Sequence, residues 1–301
     1  MGRRATAIAV GLSVAAVLAS CTQAPPSPTP SPVITPDPVA YPVVLPTATP
    51  APEPSPAPAR NIAPDPAMTR PDWIGTRVLK ERGDGFGYAQ PTPPELVNRA
   101  MPPRPWFVDP QTQEWQATVT AVPDYVLKRS TWYHGCPVEP DELAYIRMTY
   151  WGFDQKTHMG EMLVNKAVAQ DIVTVFHTLY DARYPIEEMR VWSVAEMNAP
   201  PTGDFNITDS YTCRPVATKS SGWSMHAYGL AIDLNPFQNP YKNGSLVVPE
   251  LSGSYLDRSQ HLPGMVHHGD LVWTAFHDIG WGWGGDWSSL KDYTHFSANG
   301  H

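Results

Sequence analysis

The chain predicts a mixed α+β fold, and three observations carry that reading. Segments alternating every second residue and segments with helical periodicity both occur beyond Tyr125, and no strand-helix-strand unit repeats along the chain. A repeated unit would point to a parallel doubly wound sheet instead.

Tyr145 to Tyr150 and Met189 to Ala195 alternate as half-buried strands do. From Glu161 to Tyr180, Val164, Val168, Ile172, Val175, Phe176 and Leu179 recur at helical spacing, which predicts an amphipathic helix that Pro185-Ile186 closes. A second helix is expected from Gly269 or Asp270 to Ile279, burying Leu271, Val272, Ala275, Phe276 and Ile279, with Gly280 just past its end. In Leu230 to Asn235, apolar Leu230, Ile232 and Leu234 alternate with Ala231, Asp233 and Asn235, so a strand there turns Asp233 away from the core. Residues 68–125 scatter Trp73, Trp106 and Trp115 among prolines and polar residues; they read as an irregular extension packed on a domain spanning 126–301.

Residues 1–20 read as a targeting segment. Gly2-Arg3-Arg4 supply positive charge, and the apolar run from Ala5 to Leu18 is too short to span a bilayer comfortably. The run ends at Leu18-Ala19-Ser20-Cys21, which resembles the bacterial lipobox, where the cysteine is acylated and becomes the first mature residue. That resemblance implies an extracytoplasmic protein anchored to the cell membrane through lipid on Cys21; a plain signal peptide is the alternative. Residues 21–67 are dominated by proline, as in Pro25-Pro26-Ser27-Pro28-Thr29-Pro30, and read as a disordered linker. Extended at about 3.1 Å per residue, roughly forty residues reach on the order of 100 Å, far enough to place a domain within a cell wall.

The formal net charge of -8, with no clustered Lys and Arg, argues against a nucleic-acid partner. Nothing in the chain points to a protein partner. If export is accepted and Cys21 takes lipid, Cys136 and Cys213 remain, and two cysteines in one exported domain are more often paired than free. Closing so long a loop is worth roughly 4 kcal/mol by chain entropy. Two buried thiols are the other reading.

The chemistry concentrates in Ser224-Met225-His226-Ala227-Tyr228-Gly229-Leu230-Ala231-Ile232-Asp233 and, some sixty residues on, Asp292-Tyr293-Thr294-His295. Two imidazoles and a carboxylate suit a catalytic zinc, because three protein ligands leave the fourth tetrahedral position open for water. Asp292 adds a carboxylate able to take and return a proton. Gly229 permits a turn that folds His226 back beside Asp233, and Asp292 and His295 need a turn between them, since i, i+3 on a strand face opposite ways. Taken singly, each His or Asp is more often a solvated or hydrogen-bonded residue than a ligand; the combination favours a site. The remaining histidines, such as adjacent His267 and His268, lack such surroundings. Asp286 sits in the Gly/Trp-rich run from Gly280 to Trp287, where a turn or cap role suits it.

The pattern Ser224-x-His226-x-x-Gly229-x-Ala231-x-Asp233, the run Gly282-Trp283-Gly284-Gly285-Asp286-Trp287 and Asp292-x-x-His295-Phe296 together resemble the zinc D-alanyl-D-alanine carboxypeptidase and L-alanyl-D-glutamate endopeptidase family, VanY-type enzymes among them. Thr208 to Arg214 resembles, more loosely, the family's segment bearing a substrate-facing arginine. The resemblance implies an antiparallel sheet flanked by helices, of the hedgehog/DD-peptidase type. It assigns zinc to His226, Asp233 and His295, general base and acid to Asp292, and the substrate carbonyl or oxyanion to Arg214. Ser224 is left to bind substrate or to serve structure. The function implied is hydrolysis of peptidoglycan stem peptides. The Asp-x-x-His form lies closer to the L-alanyl-D-glutamate endopeptidase branch; a D-alanyl-D-alanine carboxypeptidase and a non-catalytic zinc-containing wall-binding module are the alternatives.

Overall fold

Leu143 to Asn165 folds back on itself because both halves carry inward-facing apolar residues at every second position. In the computed structural model, which describes residues 68–216 and 222–301, the halves are β2 (Leu143–Trp151) and β3 (Thr157–Asn165), paired antiparallel with Ile146 opposite Met162. The strand β1 (Ala117–Thr120) adds to the free edge of β2, giving a three-stranded antiparallel sheet in the order β1-β2-β3. Residues from 68 to 125 therefore contribute a strand as well as irregular chain.

The helix α1 (Asp124–Arg129) precedes β2, and α2 (Ala169–Asp181) follows β3. Ile172, Val175, Phe176 and Leu179 of α2 pack on Ile146, Met148, Met162 and Val164 of the sheet. The helix begins later than its periodicity predicts. Residues 161–165 belong to β3, where Met162 and Val164 enter the main core and Leu163 a second cluster on the other face. With apolar residues on both faces, that stretch imitates helical spacing. Glu161 settles the matter: buried, it bonds Arg129, the Tyr145 hydroxyl and the Val191 amide.

The strand expected over Met189 to Ala195 is also shorter. Only β4 (Glu188–Met189) pairs, in parallel, with β5 (Ile207–Thr208). Ser193 then starts the helix α3 (Val194–Met197) through a reciprocal capping box with Glu196, which ends the extended run. The helix α4 (Leu271–Asp278) has the expected bounds, with Asp270 capping it through the Trp273 amide and Gly280 past its end at φ of 81°. It buries Val272, Ala275 and Phe276; Leu271, expected to bury, is exposed in its first turn.

Two further antiparallel sheets carry the motifs. One has the order β6-β11-β9, from β6 (Ala231–Asp233), β9 (Gly282–Trp283) and β11 (His295–Ser297). The other has the order β10-β7-β8, from β7 (Tyr241–Asn243), β8 (Leu246–Val248) and β10 (Lys291–Asp292). Ile232, Leu234 and Phe296 join the main core with Phe276, Trp281 and Trp283, so the polar residues between them face away.

The segment before β1 packs on the rest through Ile74, Leu79, Leu96 and Met101, which bury against Phe237, Leu251, Tyr255 and Met265. Arg99, fully buried, forks onto Glu187 at 2.7 and 2.8 Å, while Arg104 bonds Glu188 at 2.7 Å. Cys136 and Cys213 are disulfide-bonded. The targeting segment, Cys21 and the proline-rich linker lie outside the described residues. Among the described residues no helix is long and apolar enough to cross a membrane.

Candidate metal centre

His226 sits in a single 3-10 turn, Met225–Tyr228. Ser224 caps it by accepting the His226 amide at 3.3 Å, so its hydroxyl oxygen has a structural task. Gly229 ends the turn with φ of 65°, and a Cβ there would collide with the amide of Asn165. The turn delivers the buried His226 ring to the polar face of β6. Asp233 and His295 are direct cross-strand partners on β6 and β11, which places their side chains on one face.

The three groups converge. His226 Nε2, Asp233 Oδ1 and His295 Nδ1 form a triangle with every side 3.2 Å. Zinc bonds of about 2.0–2.1 Å with tetrahedral angles set ligand atoms about 3.3 Å apart, so the donor set fits that ion in both chemistry and spacing. The Ser210 carbonyl accepts from His226 Nδ1 at 2.5 Å, which turns the Nε2 lone pair into the triangle.

Asp292 ends β10, opposite Tyr241 of β7. The chain bends at Tyr293 and Thr294, held by Leu234 N donating to the Thr294 carbonyl at 3.0 Å and by Thr294 Oγ1 donating to the Leu234 carbonyl at 3.1 Å. That bend puts Asp292 and His295 at one site despite their i, i+3 spacing. Asp292 Oδ1 is shut off from solvent with no hydrogen-bond partner among the described residues. Burial pushes the Asp292 carboxyl up to about 7; the charge of Asp233 adds to the shift, while His295 and Arg214 oppose it. Asp233 behaves oppositely. Burial works against its charge, yet His226 and His295 together hold it well below the usual carboxylate range. One carboxylate is thus a permanent anion suited to a cation, and the other exchanges its proton near neutrality.

Arg214 is half-buried at the end of the segment that follows β5, with Nη1 donating to the Pro215 carbonyl at 3.5 Å. Its carbonyl accepts from Ser224 N at 3.2 Å, and its charge acts on Asp292, Asp209 and His226, although it forms no ion pair among the described residues.

Two neighbours escaped sequence reasoning. Asp209 exchanges main-chain hydrogen bonds with Asp233 at 3.1 and 2.9 Å, and burial pushes its carboxyl up to about 7. Nothing in its local pattern marks it. Ser210 serves through its carbonyl, which no side-chain identity reveals. The Gly/Trp run lies against the site: a Cβ on Gly284 would fall 2.5 Å from the Asp292 carbonyl oxygen, and the Trp287 ring centroid is 5.6 Å from that of His295. Asp286, expected to cap or turn, ends the 3-10 turn Gly284–Asp286, and its carboxylate accepts from His268 Nδ1 at 2.8 Å and Trp273 Nε1 at 2.9 Å. His267 and His268 diverge, one toward His261 and the other toward Trp273.

Residues 218–298 match a family model described as D-alanyl-D-alanine carboxypeptidase. No curated protein and no solved structure matches the chain. The matched segment contains His226, Asp233, Asp292 and His295 and bears out the resemblance that those motifs carry. Its chemistry is that of a hydrolase.

Proposed function

We propose that the chain is a zinc-dependent peptidase acting on peptidoglycan stem peptides, with D-alanyl-D-alanine carboxypeptidase activity as the first reading. The carrying observation is the 3.2 Å triangle of His226, Asp233 and His295 with the unpartnered Asp292 oxygen beside it. The matched family supports the choice of bond.

In this reading His226, Asp233 and His295 hold the ion. Zinc there supplies Lewis acidity toward the amide and makes water acidic enough to attack near neutral pH. Asp292 takes a proton from the attacking water and returns it to the amine nitrogen as the carbon-nitrogen bond breaks. Arg214 faces the negative charge of the substrate, either a terminal carboxylate or the oxygen on which charge develops. Ser224 holds the turn that presents His226.

L-alanyl-D-glutamate endopeptidase activity is the second reading, favoured by Asp292 rather than glutamate in the Asp-x-x-His motif. Digestion of purified peptidoglycan with and without a chelator, followed by mass analysis, separates the cases. Free D-alanine supports the first reading; L-alanine at new stem ends, without D-alanine, replaces it with the second. Turnover indifferent to chelator overturns zinc, and intact substrate in every sample leaves the non-catalytic wall-binding module.

The anchor belongs to the same proposal. Lipid on Cys21 and the proline-rich linker would place the hydrolase outside the cell membrane and within reach of the wall. Metabolic labelling with a fatty acid tests this; loss of label in Cys21→Ser supports it, and label that persists overturns it.

A further inference from the structure

Three residues of the segment from Asp209 to Arg214 bond His226 or Asp233 directly. Asp209 exchanges two main-chain bonds with Asp233, and the Ser210 carbonyl holds the His226 ring. Thr212 N donates to the His226 carbonyl at 3.2 Å. These bonds secure the part of the segment that faces His226 and Asp233. Beyond Thr212 the support changes. Cys213 N donates to Thr131 Oγ1 at 2.9 Å, its sulfur is bonded to Cys136, and the Arg214 carbonyl accepts from Ser224 N. Pro215 has no amide to give; it bridges Trp223, and Val216 N donates to the Gly222 carbonyl at 3.1 Å.

Arg214 thus stands at the end of the segment bonded to the site, just before the Pro215–Trp223 bridge. Its guanidinium has no ion pair among the described residues and donates to the Pro215 carbonyl at 3.5 Å, so where its charge stands relative to Asp292 and Asp209 depends on its backbone. The far end of the disulfide is well anchored. Cys136 N donates to the Tyr133 carbonyl, Trp132 Nε1 donates to the Val138 carbonyl at 3.0 Å, and Val138 buries with Leu143 and Tyr145 at the start of β2.

We propose that the Cys136–Cys213 disulfide, with Thr131, is a positioning device for Arg214 that sets substrate binding at the site and leaves metal binding to the three ligands. This deepens the peptidase reading and rests on it. A bond that served stability alone would weaken the fold whether or not Arg214 were present. A bond acting through Arg214 loses its functional effect once that side chain is gone.

The test is a double-mutant cycle on the full zinc-loaded chain, with Cys136→Ser/Cys213→Ser and Arg214→Ala made separately and together. Zinc per chain, and KM and kcat on a stem pentapeptide, are the readouts. Removing the disulfide is expected to lower kcat/KM about 10–100-fold with zinc per chain unchanged, and to cost nothing more in the Arg214→Ala background. Multiplying losses, or unchanged kcat/KM without the disulfide, overturn the proposal.

Should the disulfide-free chain fail to fold, Thr131→Val keeps the bond and removes the acceptor of the Cys213 amide. A several-fold loss of kcat/KM, absent beside Arg214→Ala, supports the proposal; equal losses in both backgrounds overturn it. If the native chain binds the pentapeptide without cleaving it, the peptidase reading fails alone, and the same cycle read on calorimetric affinity decides this one by the same criteria. A native chain that neither binds nor cleaves overturns both.

Discussion

His226 donates Nδ1 to the Ser210 carbonyl at 2.5 Å, and this contact aims Nε2 at Asp233 and His295. Such an outer hydrogen bond fixes the tautomer and the ring orientation, so the ring would be preset for an ion. Outer-shell changes cost about 10–100-fold in metal affinity, and loss of a direct ligand costs more. His226→Ala and Asp233→Asn should therefore each weaken zinc by more than about 100-fold in competition with a coloured chelator. Either variant retaining native affinity would remove that residue from the ligand set.

Asp292 should separate catalysis from metal binding. Asp292→Asn is expected to lower kcat by about 10²–10⁴-fold, the usual contribution of a positioned proton acceptor, while zinc per chain stays unchanged. A base must be ionised, so the rate should rise with pH through the Asp292 pKa. Burial pushes that group up to about 7, and a dication beside it would bring it lower. The acidic limb of kcat/KM should then have its midpoint below 7 and vanish in Asp292→Asn. Loss of zinc together with activity would instead make Asp292 a ligand.

Much of this site was legible because its residues alternate. Leu230, Ile232 and Leu234 announced a strand with Asp233 on its outer face, and the structure keeps Ile232 and Leu234 in the core. Gly229 announced the turn. What stayed hidden works through the main chain or across long separations: the Ser210 carbonyl, the Asp209 pairing and the approach of Gly284 to Asp292. Periodicity also misled where both faces of a strand are buried. Met162, Leu163 and Val164 are all apolar, and the pairing with β2 together with the partners of Glu161 marks the stretch as strand. The parallel pairing of β4 with β5 joins two-residue segments, too short to carry a pattern.

The buried pair of Arg99 and Glu187 ties the chain before β1 to the domain, and its loss should be felt as stability. Burial opposes charge on Glu187, yet Arg99 and Arg70 hold its pKa below the ordinary 4.5. A group with a depressed folded-state pKa contributes stability above its unfolded pKa and loses it as pH falls through the folded value. Glu187→Gln leaves Arg99 buried without its counter-charge, a change worth about 3–5 kcal/mol. Thermal unfolding at pH 7, with chelator in both samples, should show that deficit. It should narrow once the pH falls below about 4.5, where the native chain begins to lose the contribution itself. A deficit independent of pH would mean that packing, and not charge, unites the two segments.

Gly284 explains how the Gly/Trp run comes so close to Asp292. A Cβ added there would lie 2.5 Å from the Asp292 carbonyl oxygen and 2.8 Å from the Asp292 Cβ, closer than atoms tolerate. One side has to move, and the β7 pairing limits how far Asp292 can retreat. Overpacking of this kind costs about 1–3 kcal/mol in stability, but displacement of a reacting group costs rate more steeply, on the order of 100-fold for about 1 Å. Gly284→Ala should therefore lose kcat out of proportion to stability while zinc per chain is kept. Gly285 is the control, because its added Cβ would meet the Trp283 ring instead of Asp292. Gly285→Ala should cost stability first. Equal loss of kcat per unit of stability in the two variants would show that the glycines serve packing alone.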